Sequence, residues 1–413
     1  MARKTRWFAS EFNRRVAVAV PLVLAAACQD AAQAPAVMET DSAGIRIVTS
    51  DPLQSEAVCS LSDEPTFLVG DNQEDESQWF SSVSGVGALS DGSVVVAERG
   101  SGQLRIYDGT GQHLRSMGRL GEGPGEFSRL WFLRVLAGDT VWVGDYRPMR
   151  YFLYASGGDW VRTIELDPMY LNPTRDGGVL ASGVSINVRN EGAERHDFKT
   201  PDTWHVEAHA PDGKLIGPVA TVPSRTFGEV KEDPTFLIDP FFDSSASVDA
   251  RGHTIAIANG RDPEVRVMDD EFRLRLIVRW RDPGRQVTPE HVRAARDAVE
   301  RWARRDGELS ASDRALLSPD RPAADVLPAV RRVWVGTDGS IWVFPESVPG
   351  ESEPPRPMGF GADGRFLCHL ANVPGDFGIW EVGTDYALGI RESEFDVQLV
   401  AKYGLSRPGA APD

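Results

Sequence analysis

Acidic and arginine side chains recur in this sequence just after short apolar runs. Glu98-Arg99 follows the run Val94 to Ala97, and Asp145-Tyr146-Arg147 follows a similar run. A planar guanidinium can hold a carboxylate or a phosphate through two parallel hydrogen bonds, so alternating acids and arginines suit a polar ligand or a peptide loop of a partner. The same side chains could instead form salt bridges within the fold. The candidate ligand-binding residues are Glu98, Arg99, Asp145, Arg147, Arg261 and Glu346.

Catalytic chemistry has little support in the sequence. No GxSxG nucleophile motif occurs. His205 and His209 have the spacing closest to a metal-binding pair. In a strand, however, residues four apart lie about 13 Å from each other, too far to share one zinc ion. We therefore predict no catalytic and no metal-binding residues, and an enzyme is not favoured.

The elements that must position the candidate side chains are clearest between Leu89 and Phe127. Asp91-Gly92 and Asp108-Gly109 each separate two runs of β-branched, aromatic or aliphatic residues with period two. Asp and Gly tolerate the backbone angles of a tight hairpin, so the stretch predicts short antiparallel strands joined by turns. Four such strands in about forty residues match the size of one β-propeller blade.

Turns of this kind recur along the chain at the spacing of blades. The turn between the first and second strands of a blade occurs six times, and the turn between the third and fourth strands occurs five times. The last blade therefore lacks a fourth strand of its own. The unassigned run Thr66 to Val69 precedes the first complete blade and is placed to supply that strand, which would close the ring.

The order of these motifs resembles a known family. The segments SDGSVVVAE, LRIYD, a DGTG turn and LRSMGRLGEGPGEF follow one another from Ser90 to Phe127. They are similar to NHL-repeat six-bladed β-propellers, in particular the exported bacterial lipoproteins of that group. The resemblance extends over roughly residues 41 to 405, and the GEGPGEF run is its most specific part. It implies an all-β fold, a six-bladed β-propeller of four-stranded antiparallel blades.

What the resemblance implies about function is less definite, because most of the group has no assigned activity. Related NHL lyases hold zinc with histidines from several blades, and lactonases of a neighbouring six-bladed family bind a divalent ion in the central channel with Glu, Asn and Asp. Calcium ligands of that kind could come from Glu98, Asp145, Asn259 and Glu346. The alternative to a binding protein is thus a divalent-metal-dependent hydrolase, lactonase-like or lyase-like, with its site at the central channel.

Three segments interrupt the even spacing of the blades. Residues 183–200 and 223–240 are largely polar, the second segment also contains prolines, and we expect loops that lengthen the third blade and its exit. In residues 288–306 the apolar positions fall three or four apart, with Thr288 as N-cap and Pro289 at the first helical position, which predicts a helix. With a further turn near residues 313–317, this gives a helical insertion at 288–318 between the fourth and fifth blades.

The N-terminal segment is predicted to be a targeting signal. Basic residues precede an apolar run, Val16 to Ala27, that is too short to span a bilayer. The run ends at Ala25-Ala26-Ala27-Cys28, which resembles a lipobox, so Cys28 is the predicted lipidation site. The expected domains are a signal peptide at 1–27, a flexible tether at 28–40, the propeller at 41–408 and a tail at 409–413.

The charge of the chain excludes one class of partner. The formal net charge is −17, and it becomes −21 when the predicted signal peptide, with five Lys or Arg and one Glu, is removed. Such an acidic surface repels phosphate backbones, so we expect no binding to nucleic acid. No run after Cys28 is long and apolar enough to span a membrane, so membrane contact would occur through the N-terminal lipid only.

Two further cysteines, Cys59 and Cys368, lie far apart in the sequence. So few cysteines do not make a disulfide scaffold, and whether these two pair stays open, with free thiols favoured. Taken together, the sequence predicts a monomeric, lipid-anchored propeller of the bacterial cell envelope, on the periplasmic face or at the outer membrane. It would act as a binding or scaffolding module for an envelope protein or a polar small molecule. We expect no cofactor, with calcium as the one candidate.

Overall fold

The computed structural model describes residues 37–72, 74–146, 149–170, 173–304, 307–392 and 397–408. The predicted signal peptide, the lipidation site Cys28, Arg147 and the predicted tail lie outside the described residues. Of the predicted tether, residues 37–40 are described, and they already belong to the first strand. None of the described helices has the length and apolar composition needed to cross a bilayer.

Four short strands begin the described part of the chain. They are β1 (Val37–Ser42), β2 (Ile45–Ser50), β3 (Val58–Leu61) and β4 (Phe67–Val69). β1 and β2 form an antiparallel hairpin. β3 and β4 pair with strands from the C-terminal part of the chain, so the two ends of the sequence share sheets.

The next eight strands form two antiparallel groups of four in chain order. The first group contains β5 (Val83–Ala88), β6 (Val94–Glu98), β7 (Gln103–Tyr107) and β8 (His113–Met117). The second contains β9 (Leu130–Leu136), β10 (Thr140–Asp145), β11 (Arg150–Tyr154) and β12 (Trp160–Glu165). Val94 to Ala97 are completely buried. They read as a continuous apolar run because both faces of this strand pack against neighbours.

The third and fourth groups hydrogen-bond to each other. The third contains β13 (Pro173–Leu180), β14 (Ser185–Glu191), β15 (Asp197–His209) and β16 (Leu215–Val230), and β17 (Asp233–Ile238) extends it. The fourth contains β18 (Ser247–Gly252), β19 (Thr254–Ala258), β20 (Glu264–Met268) and β21 (Leu274–Trp280). β13 and β18 pair in parallel. Gly178 permits this approach, because a Cβ there would lie 2.1 Å from the Ala250 carbonyl oxygen.

The expectation of polar loops at residues 183–200 and 223–240 is wrong. Much of the first segment is β14 and the start of β15, and much of the second is the end of β16 and all of β17. The prolines of the second segment are tolerated because Pro223 lies next to a register shift of the β15–β16 ladder, and Pro234 lies in β17, at the edge of its sheet. At such irregularities the missing N–H of proline removes no regular ladder bond.

The remaining strands include the one that completes the ring. One group contains β22 (Arg332–Val335), β23 (Ile341–Phe344), β24 (Met358–Phe360) and β25 (Phe366–Ala371). The last contains β26 (Phe377–Val382), β27 (Tyr386–Glu392) and β28 (Gln398–Ser406). β4 pairs antiparallel with β28, with Val69 opposite Val400. The prediction that Thr66 to Val69 supplies the missing fourth strand is therefore confirmed.

The N-terminal strands also cover the outer edges of two other groups. β2 pairs in parallel with β21, and β3 pairs in parallel with β25. Cys59 in β3 and Cys368 in β25 form a disulfide, with their Cα atoms 5.5 Å apart. The expectation of free thiols is thus wrong. The reason is that a parallel pairing between the two ends of the chain brings these cysteines side by side.

Two helices lie between β21 and β22. They are α1 (Pro289–Ala303) and α2 (Ala311–Leu316). The Thr288 hydroxyl accepts a hydrogen bond from the His291 backbone N–H (3.3 Å), which caps α1. Ala315 of α2 packs against Val230 and Ile238 of the extended third group.

These groups of strands build a β-propeller. The first strands contact one another in the order β5, β9, β13, β18, β22 and β26, and β26 contacts β5 again. The cycle returns to its start, so the first strands surround a common axis. Apolar clusters fill the spaces between adjacent groups, and one of them joins the first group to the last through Val94, Val96 and Val400.

Candidate functional site

The candidate residues follow the second strands of their groups. In an antiparallel meander, the turns after the second strands lie at the same end as the connections between groups. We call this end of the propeller the upper face. Glu98, Asp145, Arg261 and Glu346 all belong to it, while Arg147 is outside the described residues.

Glu98 is buried, and its carboxylate accepts hydrogen bonds from the two loops that flank the β5–β6 hairpin. Its Oε1 accepts hydrogen bonds from the Ser82 N–H (3.0 Å), the Gly100 N–H (3.1 Å) and the Ser81 hydroxyl (2.8 Å), and its Oε2 accepts one from the Ser101 N–H (2.6 Å). Burial alone raises the pKa of Glu98, but these hydrogen bonds outweigh it and lower the pKa to about 2. The charged carboxylate is therefore engaged with loop amides.

Asp145 repeats this arrangement in the second group. Its carboxylate is fully buried and accepts hydrogen bonds from the backbone N–H groups of Ser128 (3.0 Å) and Arg129. The Arg150 guanidinium donates two more, at 3.0 and 3.2 Å. In each of these two groups, the acidic residue at the end of the second strand thus fixes the connection that leads into the first strand of the same group.

Arg99 and Glu346 also contact protein atoms. Arg99 Nε donates to the Leu130 carbonyl oxygen (2.9 Å) in the next group, and burial lowers the pKa of Arg99. Glu346 Oε2 lies 3.4 Å from Arg331 Nε, and burial raises the pKa of Glu346. The Arg99 and Glu346 side chains therefore interact with other residues of the fold.

Arg261 is placed differently. Its backbone N–H donates to Asn259 Oδ1 (3.0 Å), which fixes the turn after β19. Its side chain is exposed, and its guanidinium has no hydrogen bond or ion pair with any described residue. Arg261 lines a cleft of about 670 Å³ on the upper face, together with Lys199. The Lys199 ammonium is likewise exposed and has no ion pair within the described ranges.

One wall of this cleft is the segment 322–328, which we call the strap. The Phe241 N–H donates to the Pro322 carbonyl oxygen, and the Ala324 N–H donates to the Phe241 carbonyl oxygen, both at 2.9 Å. Arg321 lies over the Phe241 ring, 3.9 Å from its centroid, and donates to the Asp239 carboxylate (3.0 Å). The strap is therefore held in place before any ligand binds.

The cleft carries charges of both signs. Asp243 accepts hydrogen bonds from the Thr226 N–H (2.6 Å) and the Thr226 hydroxyl (3.0 Å), and burial raises the pKa of Asp243. Asp243 and Asp325 line the same cleft as Lys199 and Arg261. Such a surface suits a ligand that presents both donors and acceptors, as a peptide segment does.

Sequence reasoning found Arg261 but missed most of the cleft. Arg261 is identifiable because it follows a second strand. Lys199 falls in a segment that we expected to be a loop, and the strap precedes β22 without a strand or helix period. No local signal marks these residues, since the cleft forms only where the third group, the fourth group and the strap meet.

The central channel is crossed by two buried ion pairs. Arg134 of β9 lies 2.7 Å from Asp249 of β18, and Arg251 of β18 lies 2.6 Å from Glu381 of β26. A small cavity of about 130 Å³ beside Arg134 is lined by tryptophans, Trp131, Trp334 and Trp380 among them. Asp249 and Glu381 are thus each paired with an arginine within the channel.

The residues named as metal-ligand candidates do not come together. The described part of the chain contains no group of three or more His, Cys, Asp or Glu side chains placed to hold a metal ion. Asn259 Oδ1 accepts from the backbone N–H of Arg261 and of Asp262 (3.0 and 2.9 Å), and Glu98 and Asp145 are occupied as described above. The ring of His205 contacts Glu191 and that of His209 contacts Asn187. These residues do not fit a shared ion.

Neither a protein-family model nor a curated protein matches the chain. Among solved structures, a putative exported protein from Bacteroides fragilis is similar, with 11% identity and a TM-score of 0.47 over 87% of this chain and 99% of that one. Virginiamycin B lyase from Staphylococcus aureus is similar at 9% identity and a TM-score of 0.38, over 84% and 99%. Regucalcin from Agrobacterium tumefaciens is similar at 11% identity and a TM-score of 0.38, over 85% and 97%. These likenesses carry no functional argument.

Proposed function

We propose that this protein is a six-bladed β-propeller that acts as a binding module and holds a peptide segment of an envelope protein in the cleft at Arg261. The observation that carries the proposal is the cleft itself, about 670 Å³ in volume, with two exposed cations that form no ion pair with any described residue. Arginine pairs readily with carboxylates, and a preformed cleft of this size can bury several side chains of a partner.

The six-bladed count rests on the cycle of contacts among the first strands. Each of β5, β9, β13, β18, β22 and β26 contacts the next, and the last contacts the first. The helices α1 and α2 then form an insertion between the fourth and fifth blades, and Arg321, next to the strap, donates to the Leu316 carbonyl oxygen of α2 (3.2 Å).

Binding is a better account of the upper face than metal-dependent hydrolysis. The carboxylates at the ends of β6 and β10 accept backbone hydrogen bonds, and Asp249 and Glu381 in the channel are paired with arginines. A hydrolase of the lactonase-like type would need several carboxylate or amide oxygens that converge on one ion. These four carboxylates therefore have a structural role in this proposal, and no metal ion is assigned to them.

We further propose that the propeller is exported and is anchored to the bacterial envelope through a lipid on Cys28. The support is the basic segment, the short apolar run and the small residues before Cys28. Growth with radiolabelled palmitate should label the protein, and Cys28→Ser should abolish the label and release the protein into the soluble fraction. A variant that stays labelled or membrane-bound would contradict the anchor.

Site-specific photocrosslinking in cells tests the binding proposal. A benzoylphenylalanine at Val326, which is 40% exposed and lines the cleft, should give one discrete adduct with a partner after irradiation. The same probe at the exposed Gln112, in the hairpin at the opposite end of the strands, should give none. Arg261→Ala and Lys199→Ala should each reduce the adduct several-fold.

The matched control is Arg162→Ala, which removes an exposed arginine from β12, far from the cleft. It should leave the adduct unchanged, and all these variants should melt within a few degrees of the parent protein. An adduct that persists in Arg261→Ala, or that forms equally from position 112, would show that the cleft is not the binding site.

A further inference from the structure

A second cavity lies on the other side of the strap, between the fourth group, the group of strands β22 to β25 and the N-terminal segment. Its volume is about 380 Å³. Its walls are mainly apolar and include Leu53, Trp280, Pro328, Pro345 and Met358. Pockets for small molecules usually have this size and this predominance of apolar lining. None of its lining residues belongs to the sites predicted from the sequence.

Three arginines line the same cavity, and they differ in their partners. Arg281 lies 3.3 Å from Asp51, and Arg285 lies 3.1 Å from Glu351. Arg356 is exposed and has no ion pair or hydrogen bond with any residue that the structure describes. Asp282 also lines the cavity, and its carboxylate accepts a hydrogen bond from the Gly284 N–H (2.8 Å). Three arginines and one aspartate thus line the cavity, so positive charge is in excess there. This is notable in a chain with a formal net charge of −17.

The wall also holds a buried donor without an acceptor. Trp280 is 4% exposed, and its indole Nε1–H has no hydrogen-bond acceptor among the residues that the structure describes. Its ring packs against Phe360, with the centroids 5.6 Å apart. A buried N–H without an acceptor is costly, so a ligand that offers an acceptor at this wall would be favoured.

We propose that this cavity binds an amphipathic anion, a compound with a compact apolar body and one carboxylate or sulfonate group. The apolar body would lie against Leu53, Trp280 and Met358, and the acid group would pair with the Arg356 guanidinium. Charge complementarity selects an anion, because Arg356 is the arginine of the cavity that has no acidic partner. Five of the lining residues are prolines, whose fixed φ angle stiffens the walls, so a rigid ring system is favoured over a flexible chain.

The dye 1-anilinonaphthalene-8-sulfonate is a suitable probe, because it combines an aromatic body with a sulfonate and fluoresces in apolar surroundings. Titration of the folded protein should give a saturable signal with one dye bound per chain. 2-Naphthoate should displace the dye at least about ten times more effectively than 2-naphthylmethanol, which has the same rings but no charge. Arg356→Ala should weaken dye binding about five- to ten-fold.

Two matched controls separate the cavity from the rest of the surface. Arg162→Ala removes an exposed arginine elsewhere and should leave dye binding unchanged. Leu53→Asp places a negative charge at the rim of the cavity, where Leu53 is 68% exposed, and should abolish binding. Leu114→Asp makes the same change at another exposed leucine and should not alter binding.

Several outcomes would overturn the proposal. Dye binding that does not saturate, or that falls equally in Arg356→Ala and Arg162→Ala, would mean that the dye binds unspecifically. Equal displacement by 2-naphthoate and 2-naphthylmethanol would mean that the cavity does not select an anion. Because the strap separates this cavity from the cleft at Arg261, neither result bears on the crosslinking experiment above.

Discussion

Glu98 and Asp145 are acidic residues with the same structural role at equivalent positions in the first and second groups. Each ends a second strand, and each carboxylate accepts backbone N–H groups from the connection that precedes its own group. A single anionic side chain thereby satisfies several donors that would otherwise lack partners. Hydrogen bonds to a charged group are worth more than those between neutral groups, so these residues should matter for stability.

We predict that Glu98→Gln destabilises the protein by about 2 kcal/mol at pH 7, because the amide offers one acceptor where the carboxylate offers two charged ones. Urea denaturation of both proteins measures the difference. Glu122→Gln, at an exposed position in the same region, is the control and should have almost no effect.

The pH dependence of this difference follows from the lowered pKa. The folded pKa of Glu98 is about 2, below its ordinary value of 4.5. The stabilisation is therefore fully present above pH 4.5 and is lost as the pH falls toward 2. The gap between the parent protein and Glu98→Gln should shrink in this range. A gap of constant size would mean that the charge of Glu98 does not contribute.

The positions of the candidate residues in the fold could be predicted from the sequence, but the roles of their side chains could not. The sequence placed Glu98, Asp145 and Arg261 at the same end of their strands. It could not distinguish a carboxylate that is saturated by N–H groups from an arginine that is free. The partners of Glu98 come from residues 81–82 and 100–101, on both sides of a hairpin, and only the folded register brings them together.

At the scale of elements, hairpins were predictable because each depends on a local turn. Asp91-Gly92 illustrates this, since Gly92 has φ +89° and the Asp91 carboxylate accepts from the Ser93 N–H (2.9 Å). The closing strand was predictable by counting turns. The parallel pairings of β2 with β21 and β3 with β25 were not, because contacts between residues so distant in sequence leave no local periodicity.

The closing strand should be essential for a monomeric protein. Deletion of residues 1–72 removes β4 and exposes the edge of β28, where Val400 is fully buried in the intact chain. An unpaired apolar edge promotes association with other chains. Size-exclusion chromatography with light scattering should therefore show aggregates.

Three controls identify the strand responsible, because the 1–72 deletion also removes β2 and β3, which pair with β21 and β25. Deletion of residues 1–62 removes β1 to β3 but keeps β4, and it should aggregate less than the 1–72 deletion. Deletion of residues 1–36 keeps every described strand and should yield monomer. The double variant Cys59→Ser/Cys368→Ser removes the disulfide but keeps β4, and it should also be monomeric. A monomeric 73–413 fragment with an unchanged melting temperature would contradict the role of β4.

At the scale of the whole molecule, the channel ion pairs act as braces across the ring. Arg134 with Asp249 joins the second group to the fourth, and Arg251 with Glu381 joins the fourth to the last. Each pair spans the channel and skips the group between its members. Burial raises the pKa of Glu381, but Arg251 and the Tyr386 hydroxyl outweigh burial and lower it, so Glu381 stays charged.

Removing one member of a channel ion pair should destabilise the protein more than removing both members. Arg251→Met leaves Glu381 buried without its cation and should destabilise the protein by about 3 to 5 kcal/mol. The double variant Arg251→Met/Glu381→Gln removes both charges and should recover most of this loss. Equilibrium unfolding in urea measures both, with Arg162→Met as a surface control. No recovery in the double variant would show that the ion pair itself supplies the stability.

The disulfide between β3 and β25 also determines how the molecule would respond to tension at its N-terminal end. A force applied to the N-terminal end would act first on the β1–β2 hairpin and then on the β2–β21 pair. Both are held by hydrogen bonds. Peeling would stop at Cys59, because the force then passes through the sulfur atoms into β25. β4, which follows Cys59, would carry no load, and the ring would stay closed. Residues 37–58 would by then form an extended segment up to roughly 75 Å long.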